Sequence, residues 1–104
     1  KIKLCGLSRP QDIEAANALM PDYVGFVFAR KSRRYIPPET AAALRKQLNP
    51  AIQTVGVFTD EEPELVAALV RDHIIDMIQL HGHEDRDYIR YLRTLTSAPI
   101  IQAV

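Results

Sequence analysis

The 104-residue sequence predicts an α/β fold built on a parallel sheet. Five short apolar runs rich in β-branched residues begin at residues 2, 23, 53, 77 and 100. Stretches with helical spacing of apolar residues fill each interval between them. The connections are short, and no linker or low-complexity segment divides the chain, so residues 1–104 read as one domain.

The first run, Ile2–Cys5, alternates. Lys1, Lys3 and Cys5 share one face, and Ile2 and Leu4 the other. With Ile2 and Leu4 under helices, Lys3 and Cys5 point to the centre of the sheet or barrel, where a nearby ammonium favours thiolate over thiol. Gly6 follows at once, and Ser8 with Gln11 offers a capping box to a helix carrying Ile13, Ala16 and Met20. After the second run, Tyr23–Phe28, Pro37-Pro38-Glu39 leads into a helix through Ala41, Leu44 and Leu48, with Pro38 suited to its first turn. The third run is Gln53–Phe58. Thr59 and Glu62 then offer a second capping box before Leu65, Val66, Leu69 and Val70. Met77–Leu80 is the fourth run, and a helix through Tyr88, Ile89, Leu92 and Leu95 separates it from the last, Ile100–Val104.

Composition narrows the partners. Thirteen acidic and thirteen basic side chains leave no net charge, which argues against nucleic acid or a membrane surface. The basic loop Arg30–Arg34 lacks the interleaved aromatics of a nucleic-acid patch. A single cysteine excludes an internal disulfide and suits a reducing compartment. No apolar run approaches the roughly 18 residues of a membrane span, so the expected location is cytoplasmic.

In a parallel α/β fold the chemistry gathers where strands hand over to loops. Right-handed crossovers put those ends on one rim. It collects Cys5-Gly6, residues 29–35, Thr59-Asp60 and the His81-Gly82-His83-Glu84-Asp85 stretch. Position alone leaves Cys5 open as a reactive thiol or a small buried hydrophobe. His81 and His83 with the neighbouring acids suggest a metal, but no third ligand group is evident elsewhere, so no metal is assigned. Asp60 and His73 receive no site role. Four and a half βα units make either a piece of an eight-unit barrel or a complete flavodoxin-like sheet; the latter lacks the glycine-rich phosphate loop expected after its first strand.

KLCGLSRPQD, GFVFARKSRRYIPPE, VGVF and IQLHGHE, in this order and spacing, resemble the phosphoribosylanthranilate isomerase family of tryptophan biosynthesis across essentially the whole chain. The resemblance implies a (β/α)8 TIM barrel, of which this chain supplies about the first five strands and four helices. It implies an Amadori rearrangement of N-(5'-phosphoribosyl)anthranilate, a small phosphorylated substrate, from aminoaldose to aminoketose. It implies no metal or organic cofactor. Cys5 falls on the family's general base, supported by Lys3 and Gly6. Arg34 falls on the arginine that meets the anthranilate carboxylate, with Arg33 in place of the usual proline; for Arg30 and Lys31 a solvated loop is expected. His81 falls in the substrate pocket, neither acid nor base. Gln102 replaces a lysine expected to face the barrel interior. The family's general acid, on a sixth strand, and its phosphate loops fall outside these 104 residues. This chain alone is therefore expected to be inactive. The second reading is a non-catalytic half-barrel that self-associates or docks on a separate C-terminal half.

Overall fold

A computed structural model describes residues 3–29 and 31–102. In chain order the elements are β1 (Lys3–Cys5), α1 (Pro10–Leu19), β2 (Tyr23–Val27), α2 (Pro38–Gln47), β3 (Gln53–Phe58), α3 (Pro63–Arg71), β4 (Met77–Leu80), α4 (Arg86–Leu95) and β5 (Ile100–Gln102). Expectations that fall on Lys1, Ile2, Arg30, Ala103 and Val104 lie outside the described residues.

All five strands are parallel and stand in sequential order, β1-β2-β3-β4-β5. This order separates the two architectures left open above. A flavodoxin-like sheet reverses direction at a switch point, with its second strand outside its first. Here each strand pairs with the next in sequence, the order of a barrel wall.

The register defines two faces. Leu4, Val24, Phe26, Phe58, Ile78 and Leu80 point to the helices and join one apolar cluster with Ile13 and Ala16 of α1, Ala41 and Leu44 of α2, Val66 and Leu69 of α3, and Leu92 of α4. All four helices thus cover one face of the sheet. The opposite face carries Cys5, Gly25 and Val55 in one row, and Val27, Val57 and Gln79 in the next. At the N-terminal ends of β3 and β4 a polar knot closes the fold. Asp76 Oδ2 accepts from Thr54 N at 2.8 Å and from Arg45 Nη2 at 3.3 Å.

Two helix starts differ from expectation. α1 begins at Pro10, and Asp12, not Gln11, reaches back: its Oδ2 accepts from Ser8 N at 3.0 Å and Arg9 N at 3.1 Å. A carboxylate at the third helical position is a stronger acceptor for those amides than a neutral glutamine. α3 begins only at Pro63, because Asp60 takes a left-handed conformation (φ 51°) that breaks any helix continuing from Thr59. Pro38 and Asp85 behave as helix-start residues should, Pro38 in the first turn of α2 and Asp85 capping α4 by accepting from Tyr88 N at 2.8 Å.

Gln102 requires a correction. It pairs with Leu80, so it lies on the helix-facing side of the sheet; Ile101, opposite Gln79, takes the interior position. A position inferred from resemblance alone was one residue out of phase, and in a strand that reverses the face.

Candidate active site

The C-terminal strand ends open on a cavity of about 580 Å³. Cys5, Arg34 and His81 all line it, so the structure brings together three residues from three strand-end segments far apart in sequence. Val27, Val57 and Gln79 form its floor, and Thr59 stands on its rim. Lys31 and Arg33, both exposed, line it as well. Three cationic side chains and no carboxylate among the described lining residues make it suited to an anionic ligand.

Cys5 ends β1 and is exposed to the cavity. Its neighbour on the interior face is Gly25, and a Cβ there would come within 3.0 Å of Cys5 Sγ and 3.4 Å of Lys3 Cε. Gly25 therefore makes the space in which both side chains lie. Sequence reasoning missed it. The available signal was a glycine in the middle of an apolar strand run, which marks a close approach.

Lys3 stands apart from the cavity lining. Its Nζ donates to Gln79 Oε1, spanning the interior face from β1 to β4. The ammonium is thus engaged by a neutral amide on the face that carries Cys5.

Arg34 is positioned by two features. The loop after β2 folds back as a short turn in which Ser32 Oγ accepts from Arg34 N at 3.1 Å, and Ile36 N donates to Val27 O at 3.1 Å to rejoin the sheet. Beneath the guanidinium stem lies Gly6, at φ 81°. A Cβ on Gly6 would meet Arg34 Cδ at 2.4 Å, so the left-handed backbone favours glycine and any larger residue would displace the Arg34 side chain. Gly6 N and Leu7 N both donate to Gly25 O, at 2.9 and 3.2 Å, which anchors this turn to β2.

His81 extends β4 by one residue, its N donating to Phe58 O at 2.9 Å. Behind it the loops after β3 and β4 are laced together. Glu84 accepts from Asp60 N and Gly82 N, and Asp60 accepts from His83 N. Tyr88 Oη donates to Glu61 O at 2.6 Å. Burial, reinforced by the charges of Glu84, Glu61 and Asp60, pushes this phenol up to about 12, so it remains a donor across the working pH range. Among the described residues no group of three or more His, Cys, Asp or Glu side chains is placed to hold a metal ion, and no helix is long and apolar enough to cross a membrane.

Residues 2–104 match the family model of N-(5'-phosphoribosyl)anthranilate (PRA) isomerase. The chain is 48% identical over all 104 residues to the N-(5'-phosphoribosyl)anthranilate isomerase of Lachnoclostridium phytofermentans, of which it covers 47%. The crystal structure of phosphoribosyl anthranilate isomerase from Thermus thermophilus superposes with a TM-score of 0.88 at 38% identity, over 100% of this chain and 51% of that one. A phosphoribosyl anthranilate isomerase in complex with reduced 1-(o-carboxyphenylamino)-1-deoxyribulose 5-phosphate superposes with a TM-score of 0.86 at 36% identity, over 100% and 53%. The chain spans about half the length of the curated relatives it matches. Its sheet and helices are five strands and four helices of the (β/α)8 TIM-barrel architecture of these neighbours. The strand order, the strand-end cavity and these matches agree that the chain belongs to the N-(5'-phosphoribosyl)anthranilate isomerase family.

Proposed function

We propose that this chain forms the base- and carboxylate-facing half of a barrel that isomerises N-(5'-phosphoribosyl)anthranilate in tryptophan biosynthesis. The observation that carries the reading is the convergence of the Cys5 thiol, the Arg34 guanidinium and His81 on one cationic cavity at the strand ends. A relative is complexed with a ligand bearing both an o-carboxyphenylamino group and a phosphate. A planar guanidinium is matched to the carboxylate of such a ligand.

In this reading an acid elsewhere in the barrel protonates the furanose ring oxygen, and the ring opens to an iminium. That cation acidifies the proton on the second ribose carbon. Cys5, as thiolate, removes it, and the resulting enolamine tautomerises to the aminoketose. No electron leaves the substrate, so the reaction requires no oxidant, and the reading invokes neither metal nor organic cofactor. Arg34 fixes the aryl end, His81 lines the pocket, Gly6 seats Arg34, and Lys3, fixed by Gln79, adds positive charge on the face of Cys5. The acid and the phosphate site come from the remaining strands of the barrel.

The test is Cys5→Ala in a complete barrel that carries this chain as its first five strands. Losing a general base should lower kcat by about 10²–10⁴-fold with little change in substrate affinity. Turnover close to that of the unaltered barrel would remove Cys5 from the mechanism.

A further inference from the structure

We infer that Glu84, which does not line the cavity, is a positioning residue for its rim: with Asp60 it clasps the loops after β3 and β4 and thereby places Thr59 and His81. The inference rests on the isomerase reading for what that rim binds, but the clasp itself rests on geometry. Glu84 is 7% exposed, one of two buried polar or charged residues among those described. Both of its oxygens are used, each by a different loop. Oε2 accepts from Asp60 N at 2.7 Å and Oε1 from Gly82 N at 2.9 Å. Asp60 returns the contact, its Oδ1 accepting from His83 N at 2.7 Å. Each loop thus lends a carboxylate to the backbone of the other.

Two further observations show how closely the loops are fitted. Asp60 sits at φ 51°, a left-handed conformation that aspartate tolerates better than most residues, and its amide is the one Glu84 holds. A Cβ on Gly82 would come within 2.8 Å of Asp60 Oδ1, so the loops meet without room for a side chain. Thr59 and His81, the residues immediately before the clasped amides of Asp60 and Gly82, both line the cavity. Charge-assisted hydrogen bonds to a buried carboxylate are stiff, and Glu84 accepts two of them. A slackened clasp therefore moves the rim first.

The same chemistry at the other end of the sheet supplies a control. Asp76 also binds backbone and side-chain donors, from Thr54 and Arg45, but far from the cavity lining. Glu84→Gln, in the complete barrel, turns one acceptor into a donor facing an N–H. Asp76→Asn removes the charge that Arg45 faces in the distal knot, where Oδ2 alone accepts. Both should lower the melting temperature. Only Glu84→Gln should shift the His81 ring resonance, speed exchange at the Asp60 and Gly82 amides and, corrected for folded fraction, lower kcat/KM by about ten-fold or more, as small misplacements of binding groups do. Asp60→Gly, which removes the carboxylate that holds His83 N while glycine accepts the φ of 51°, should move the same resonance and kcat/KM in the same direction. Equal kinetic losses in Glu84→Gln and Asp76→Asn, or an unmoved His81 resonance in Glu84→Gln and Asp60→Gly, would overturn the assignment. If the unaltered barrel has no isomerase activity, the isomerase reading fails by itself. The clasp then stands or falls on the His81 resonance and the two amides.

Discussion

Arg33 and Arg34 are adjacent, equally charged, and line the same cavity, yet the fold treats them differently. Gly6 leaves a seat in left-handed conformation, and the three atoms nearest that space all belong to Arg34. Ser32 Oγ fixes the Arg34 amide as well. A guanidinium with a seated stem has less freedom to lose on binding, which favours a bidentate contact with a carboxylate. Arg34→Ala should therefore weaken binding of anthranilate-bearing ligands by roughly 1.5–3 kcal/mol, the range of a charge-assisted contact. Arg33→Ala should cost far less. Calorimetric titration of both variants with the same ligand makes the comparison, and equal losses would mean a diffuse basic rim with no specific carboxylate contact.

Single elements show what sequence can and cannot reveal. β3 and β4 are where their runs lie, Gln53–Phe58 and Met77–Leu80, because apolar, β-branched residues end sharply there against polar turns. The start of α1 differs because several polar residues compete for the same amides, and spacing does not say which of them wins. At α1 the winner is Asp12. Its carboxyl lies below the ordinary aspartate value, chiefly through the Ser8 amide and against some burial, with Arg9 adding its charge and hydrogen bonds. A group whose value falls on folding stabilises the native state above its unfolded value, about 3.9, and loses that contribution as the pH drops through the folded value. Asp12→Asn should thus lower the melting temperature at pH 7 and flatten its decline below about pH 4, measured by thermal scans across that range. An undiminished acid decline in the variant would assign it to other carboxylates. The rim residues Cys5, Arg34 and His81 were legible for a simpler reason: strand ends define a rim whatever the loops do. The contact between Asp60 and Glu84 was not, since it depends on two loops meeting across 24 residues of sequence.

At the scale of the whole sheet, the strand-end cavity lies on five strands, the outer two of which have one partner each among the described residues. Among the described residues β1 pairs only with β2, and β5 only with β4, so two edges of parallel strand carry unpaired N–H and C=O groups. Ile101, 41% exposed, adds apolar surface at one of them. A closed barrel has no edges, and eight parallel strands are its usual number. On the reading proposed above, these polar groups and the apolar surface favour association with three further strands. Catalysis asks for more than association. In the mechanism proposed above, Cys5 removes a carbon proton only after the ring has opened, and a phosphate site supplies binding energy that orients the reacting end. This 104-residue chain by itself is accordingly expected to show no isomerase turnover, while a separately produced C-terminal half of a relative such as that of Lachnoclostridium phytofermentans should restore it on mixing. Disappearance of freshly made substrate, followed with each half and with the mixture, measures this. Activity only in the mixture supports a site shared between halves. Efficient turnover by the chain alone would place the acid among these residues and end the mechanism proposed for Cys5.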